Sequence, residues 1–295
     1  MVALRLLTLL AALLRPRAAL VRSTLLELAI LTGHVLLYPT GLAQERRPPP
    51  LPPPPTGPND TPGAESGSEG RAGRDATDPT AVQSDRLPVL LLHGFIDNRS
   101  VFVLLRRSLR SRGWAQVECL NYSPLTCDAL AAADLLARHV EEFCARTGRA
   151  RIDVVGHSLG GLIARYYVQR LGGDARVRTL VTLGTPHGGT RVAPLMSAHP
   201  LVRQMRPGSD LIVELAAPAP DCRTRFISFW SDLDQIMVPV ETARIDHPDL
   251  TARNVRVTGV GHLALPVHGT VAAGIRQALT VEETAAGTSG AASVA

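Results

Sequence analysis

The chain contains no lysine, and all 31 of its Lys and Arg positions are arginine. This excludes the phosphate loop G-x-x-x-x-G-K-[ST], whose lysine reaches the β- and γ-phosphates. Long apolar runs are also missing. Val2 to Leu14 is interrupted by Arg5, and Leu25 to Tyr38 carries Glu27, so neither reaches the roughly twenty residues that cross a bilayer comfortably. No Cys and His cluster has zinc spacing, and no internal repeat marks a solenoid. The four cysteines, Cys119, Cys127, Cys144 and Cys222, are an even count that suits an oxidising compartment and allows three pairings. Cys127 and Cys144 bracket one helical pattern and are too far apart along it to join.

What is present fits a globular chain. Its 295 residues allow one large or two small domains, and 45% hydrophobic residues is enough for a sizeable core. The net charge of +5 and isoelectric point near 9.5 come from arginines scattered along the chain. Only short doublets occur, such as Arg46-Arg47 and Arg106-Arg107. Scattered charge is a solvated surface rather than a nucleic-acid footprint, so no nucleic acid is expected as a partner. Arg15, Arg17 and Arg22 beside the two apolar runs suit acidic lipid headgroups.

The chain divides by composition. Residues 1–43 read as an export signal or membrane anchor: the second apolar run is preceded by arginines and followed by Gly41-Leu42-Ala43, a small-residue cleavage pattern. Residues 44–86, with "RRPPPLPPPP", are rich in Pro, Gly, Ser and Thr, and read as a disordered, semi-extended linker. Residues 87–280 hold the remaining pattern, and 281–295 form a small, polar tail expected to be disordered. The product is expected to be secreted or tethered to the outer face of the cell membrane.

Within 87–280, β-rich runs at Pro88–Leu92, Gln116–Asn121, Ile152–Val155, Arg178–Leu183, Arg225–Phe229 and Asn254–Val260 alternate with helical patterns. One helix begins at Asp128 as N-cap and ends at Gly148; others run from Ser100 to Gly113 and from Val267 to Leu279. Such alternation implies a mostly parallel sheet of about six strands with helices on both faces, and functional groups at the C-terminal ends of the strands. In "IDVVGHSLGGLIARYY" the period changes from strand to helix at Ser158, and a turn that sharp needs glycines two residues either side, here Gly156 and Gly160. G-x-S-x-G in a strand-turn-helix context raises a serine hydroxyl for nucleophilic attack. The first strand ends in "LLLHGF", where the backbone N-H of Phe95 can join that of Leu159 as an oxyanion hole.

Together "LPVLLLHGF", "IDVVGHSLGG", "TLGTPHGGT" and "VTGVGH" resemble the small bacterial α/β-hydrolase lipases and esterases, and are also similar to deacylases of membrane lipids. The resemblance covers Leu87 to Leu279 and implies the α/β-hydrolase fold. It also implies the triad order nucleophile, acid, base. Ser158 is then the nucleophile. In "SDLDQIMVP" Asp234 matches the acid, with Asp232 its near rival, and His262 after the last strand is the base. His247 and His268 are less well placed, and His187 precedes every candidate acid, so the resemblance makes it a loop-shaping residue.

The resemblance implies cleavage of lipid or fatty-acyl esters through an acyl-enzyme, a route that needs no cofactor or metal. The expected partners are a lipid or ester substrate and a membrane surface, and the chain is expected to be a monomer. Phospholipid deacylase, acyltransferase and thioesterase activities use the same triad, and a non-catalytic lipid-binding protein uses the same fold. Val192, Leu195 and Met196 with Leu211, Ile212 and Leu215 form either a lid over the acyl pocket or a helix packed on the sheet.

Overall fold

A computed structural model describes residues 2–42, 86–95, 97–122, 128–191, 199–280 and 293–294, with side chains of the first helix from residue 20 to residue 41. The apolar runs of the domain form strands β1 (Val89–Leu92), β2 (Val117–Leu120), β3 (Ile152–His157), β4 (Val177–Leu183), β5 (Arg225–Ser231) and β6 (Ala252–Val257). A two-residue β7 (Ser293–Val294) pairs at the edge. All pairings are parallel, in the order β2-β1-β3-β4-β5-β6-β7. Strand side chains alternate between faces. Leu90, Leu92 and Val154 pack with helices α3 (Ala129–Thr147) and α4 (Leu159–Arg170). Val89, Leu91, Val155 and Val181 pack with α2 (Val103–Arg110) and α7 (Gly269–Thr280) on the other side. This is the α/β-hydrolase architecture expected from the sequence. α3 shows why its ends were legible: the Asp128 carboxylate accepts from Ala131 N at 2.7 Å, and Gly148 ends the helix at φ 66.

The order 2-1-3 matters for function. The connection leaves β1 to one side and returns to its other side, which opens a crevice beyond the C-terminal ends of β1 and β3. His93-Gly94-Phe95 and Ser158 emerge there.

The N-terminal region differs from the sequence expectation in one respect. The two apolar runs lie in a single helix, α1 (Val2–Leu42), and Leu20–Gly41 within it is 22 residues with mean hydropathy 1.5, long and apolar enough to cross a membrane by length and composition. The threonine hydroxyls are satisfied inside the helix: those of Thr24, Thr32 and Thr40 donate to the carbonyls of Leu20, Leu28 and Leu37. The linker 44–85, Val192, Leu195, Met196, Cys127 and the tail 281–292 lie outside the described residues. After the short α5 (Pro200–Gln204), Leu211, Ile212 and Leu215 on α6 (Asp210–Ala216) are buried in the core under α4. Among the described residues, Cys144 and Cys222 are free thiols.

Candidate active site

Ser158 sits at φ 51, ψ −121, the one non-glycine among the described residues with positive φ. A side chain held there costs about 1–3 kcal/mol, so the surroundings must over-determine it. Ser158 N donates to Leu183 O at 2.9 Å, and its carbonyl accepts from Gly161 N at 3.1 Å and Thr185 Oγ1 at 2.9 Å. Helix and strand press together as the turn requires. A Cβ on Gly160 would overlap the carbonyls of Leu92 and His93, one on Gly156 the backbone of Gly161, and one on Gly161 the Thr185 hydroxyl. The serine is therefore clamped at the tip of β3, where α4 starts with Leu159.

The loop after β1 lies against it. A Cβ on Gly94 would sit 3.2 Å from the Ser158 Cβ. Tyr122 anchors this loop: its hydroxyl donates to His93 O at 2.6 Å and its ring stacks on His93 at 4.4 Å. Phe95 follows, with its ring edge-on to His199 at 5.0 Å.

Between the two aspartates after β5 the geometry discriminates. Asp234 Oδ2 lies 2.8 Å from His262 Nδ1, and both residues are buried. Its Oδ1 accepts from Ile236 N at 2.9 Å and Met237 N at 3.0 Å. Burial on its own would raise the Asp234 pKa, but the charge and hydrogen bond of His262 and the two amides bring it below the usual value. For His262 burial works downward, and the Asp234 charge and hydrogen bond, with Glu27 and Asp97 further off, lift it above 6.5. Asp232 instead pairs with Arg256 at 3.0 Å on the surface and accepts from Gly259 N at 3.3 Å.

His187 and His247 are engaged elsewhere. His187 accepts from Arg165 Nη1 at its Nδ1 (3.3 Å), so its Nε2-H donates to Thr182 Oγ1 at 3.0 Å. Burial, then the Arg165 charge, holds it well below 6.5. His247 spans a turn, accepting from Asp249 N at 3.2 Å with its Nε2 3.1 Å from Ala217 O. The sequence motifs do not single out His157 or Asp97. The His157 ring packs 4.8 Å from that of His262 and places its Nε2 3.2 Å from the His262 carbonyl, tying the elbow to the His262 loop. Asp97 stands 3.6 Å away on the other side of the ring. Burial keeps His157 below 6.5 despite that carboxylate.

Ser158, His262, Phe95 and Asp97 open into one cavity of about 1190 Å³, above the usual range of about 300–1,000 Å³ for small-molecule sites. Its walls are mostly apolar. Val202, Met205, Pro207, Ile236 and Met237 come from the loops over the sheet, and Leu31, His34, Val35, Tyr38 and Pro39 come from α1. Of the two alternatives for Leu211, Ile212 and Leu215, the packed helix is the one observed, and neighbouring residues line the cavity. The α1 wall had one sequence signal, the lone Glu27 in an otherwise apolar run.

A serine clamped on a strand-helix turn, beside a buried Asp-His pair at the ends of later strands, defines the α/β-hydrolases. Within that class, the chain belongs to the family whose model is described as palmitoyl protein thioesterase, matched over residues 88–244. It is 31% identical over 131 residues to a triacylglycerol lipase of Burkholderia plantarii, covering 40% of this chain and 36% of that one. It is also 31% identical over 116 residues to a triacylglycerol lipase of Pseudarthrobacter phenanthrenivorans, covering 37% and 35%. The matches thus span only about a third of these relatives' length. Among solved structures, the mature form of Bacillus licheniformis lipase BlEst2 superposes with a TM-score of 0.57 at 16% identity, covering 71% of this chain and 96% of that one. That likeness is one of fold.

Proposed function

We propose that the chain is a serine hydrolase that cleaves long fatty-acyl esters through an acyl-enzyme on Ser158. The observation that carries this reading is the strained serine opening, beside the 2.8 Å Asp234-His262 pair, into a large apolar cavity. A serine hydroxyl is a weak nucleophile at neutral pH. In this mechanism Ser158 Oγ attacks the acyl carbon while His262 Nε2 takes its proton, and Asp234 holds the imidazole by Nδ1 and stabilises the imidazolium. The N-H groups of Phe95 and Leu159 receive the oxyanion, each donor contributing on the order of a hundredfold in rate. The proton then passes from His262 to the leaving group, and water, deprotonated by His262, frees the acid and restores Ser158.

The family match favours a second leaving group, a thiol. A thiolate leaves with less need of a proton than an alkoxide, so the same residues serve both. The outer face of α1, with Leu25, Leu28 and Leu36 exposed, supports a seat on a membrane surface, where long acyl chains are found. We place the protein, by this reading, outside the cytoplasm, either secreted or attached to the membrane. The test is hydrolysis by the purified chain of p-nitrophenyl esters and matched acyl thioesters of increasing length, with triglyceride and phospholipid emulsions. Activity should rise with acyl length and vanish in Ser158→Ala together with fluorophosphonate labelling, while that variant stays folded. Full activity in Ser158→Ala would remove the mechanism.

A further inference from the structure

α1 is docked on the catalytic domain at three levels along its length. At its C-terminal end, carbonyls that a helix leaves unpaired are capped from the domain: Asn98 Nδ2 donates to Tyr38 O at 2.9 Å, Asn121 Nδ2 to Gly41 O at 2.7 Å, and Arg99 to Thr40 O at 3.2 Å and Gly41 O at 3.3 Å. A Cβ on Gly41 would overlap the Asn98 amide. In the middle, Leu31, Val35 and Tyr38 face the cavity that holds Ser158. Toward the N-terminal side, Gln235 Nε2 donates to Thr24 Oγ1 at 3.2 Å, in the loop that carries Asp234.

The sharpest contact lies beside the third member of the triad. The two oxygens of Glu27 accept from Leu263 N at 2.8 Å and Ala264 N at 2.9 Å, the two residues after His262. A Cβ on Gly261, just before it, would overlap the Glu27 side chain. A bidentate carboxylate thus grips the backbone on one side of His262 and packs against the other. A charge in an apolar helix is costly unless it is hydrogen-bonded, and here its partners are the amides of a catalytic loop.

The geometry points to α1 as a resident wall of the active site, with Glu27 a positioning residue that fixes the His262 loop. This rests on the hydrolase reading above. It departs from a cleaved leader, because removing α1 would open the acyl cavity along one side and leave the amides of Leu263 and Ala264 without their acceptor. Glu27 also acts electrostatically. The His262 imidazole is faced by Asp234 from the loop after β5, Asp97 from the loop after β1, the His157 ring from β3, and Glu27 from α1; after burial and Asp234, Glu27 is the next influence, and it raises the His262 pKa.

The experiment is steady-state kinetics of the full chain on a long-chain p-nitrophenyl ester, with active sites counted by fluorophosphonate titration, for wild type, Glu27→Ala, Glu27→Gln and the control Thr32→Ala, at an exposed position of α1 whose hydroxyl donates to Leu28 O within the helix. Displacement of a catalytic group by about 1 Å costs on the order of a hundredfold. Glu27→Ala should therefore lower kcat per titrated site by at least about tenfold with KM little changed. Glu27→Gln keeps one acceptor oxygen and loses the charge, so it should retain more of kcat but move the acid limb of the rate profile to lower pH. Thr32→Ala should match wild type. If the Glu27 variants only reduce the number of titratable sites, with kcat per site and the acid limb unchanged, Glu27 is merely structural and the inference is overturned. An active enzyme whose N-terminus lies beyond Leu42, with wild-type kcat, overturns it too. A wild-type chain without esterase or thioesterase turnover instead sinks the hydrolase reading, and the inference with it.

Discussion

Replacing Asp234 by Asn tests the Asp-His pair with the least change of shape. Asn Oδ1 can still accept from the amides of Ile236 and Met237, which hold the carboxylate now at 2.9 and 3.0 Å. That leaves the amide NH₂ aimed at His262 Nδ1. The NH₂ is a donor, so Nδ1 must become an acceptor and the ring proton moves to Nε2, where it blocks uptake of the Ser158 proton. The lost attraction is also large. Opposite charges at the 2.8 Å separation of this pair attract by about 6 kcal/mol at an effective dielectric of about 20, an upper bound equal to about four decades in rate. We expect kcat/KM to fall by about 10³–10⁴, with the melting curve still cooperative. In wild type the acid limb should have its midpoint above 6.5, because Asp234 outweighs burial at His262, and rate should be lost as pH drops through it. In the Asn variant the residual rate should titrate at lower pH. A loss below tenfold with an unmoved acid limb, per titrated site, would refute the reasoning.

Two further substitutions probe the scaffold. Gly160→Ala places a methyl against the carbonyls of Leu92 and His93, so urea unfolding should show a loss of about 1–3 kcal/mol or more, and labelling of Ser158 should slow; wild-type stability would contradict the close elbow. Arg178 donates to Asp153 at 3.0 and 2.6 Å, and burial pushes that carboxyl above its usual pKa even so. Arg178→Ala should cost about 3–5 kcal/mol near neutral pH and less as pH falls and Asp153 takes up a proton. A loss independent of pH would argue against an uncompensated charge.

The elbow was legible because its demands are local: Gly156, Ser158 and Gly160 lie within five residues, and the change of period around them marks strand and helix. The parallel sheet followed from the alternation of patterns for the same reason. Asp234 and Asp232 could not be separated by position alone, since both follow one strand; the difference is which side of the loop meets His262 and which meets Arg256. Leu211, Ile212 and Leu215 show a limit of periodicity, which says that a helix buries a face but not against what. The docking of α1 was the least legible. Glu27 and Leu263 are 236 residues apart, and an apolar helix near the start of a chain satisfies the pattern of a leader, an anchor and an active-site wall alike.

The central claim is covalent chemistry at Ser158. Mixing the full chain with a long-chain p-nitrophenyl ester, quenching in acid within the first turnovers and mapping the adduct by peptide mass spectrometry addresses it directly. The account predicts the acyl mass on the peptide bearing Ser158, accumulating with a burst of p-nitrophenol and absent from Ser158→Ala. Steady turnover with no acyl adduct, or with the acyl group on another residue, would contradict it.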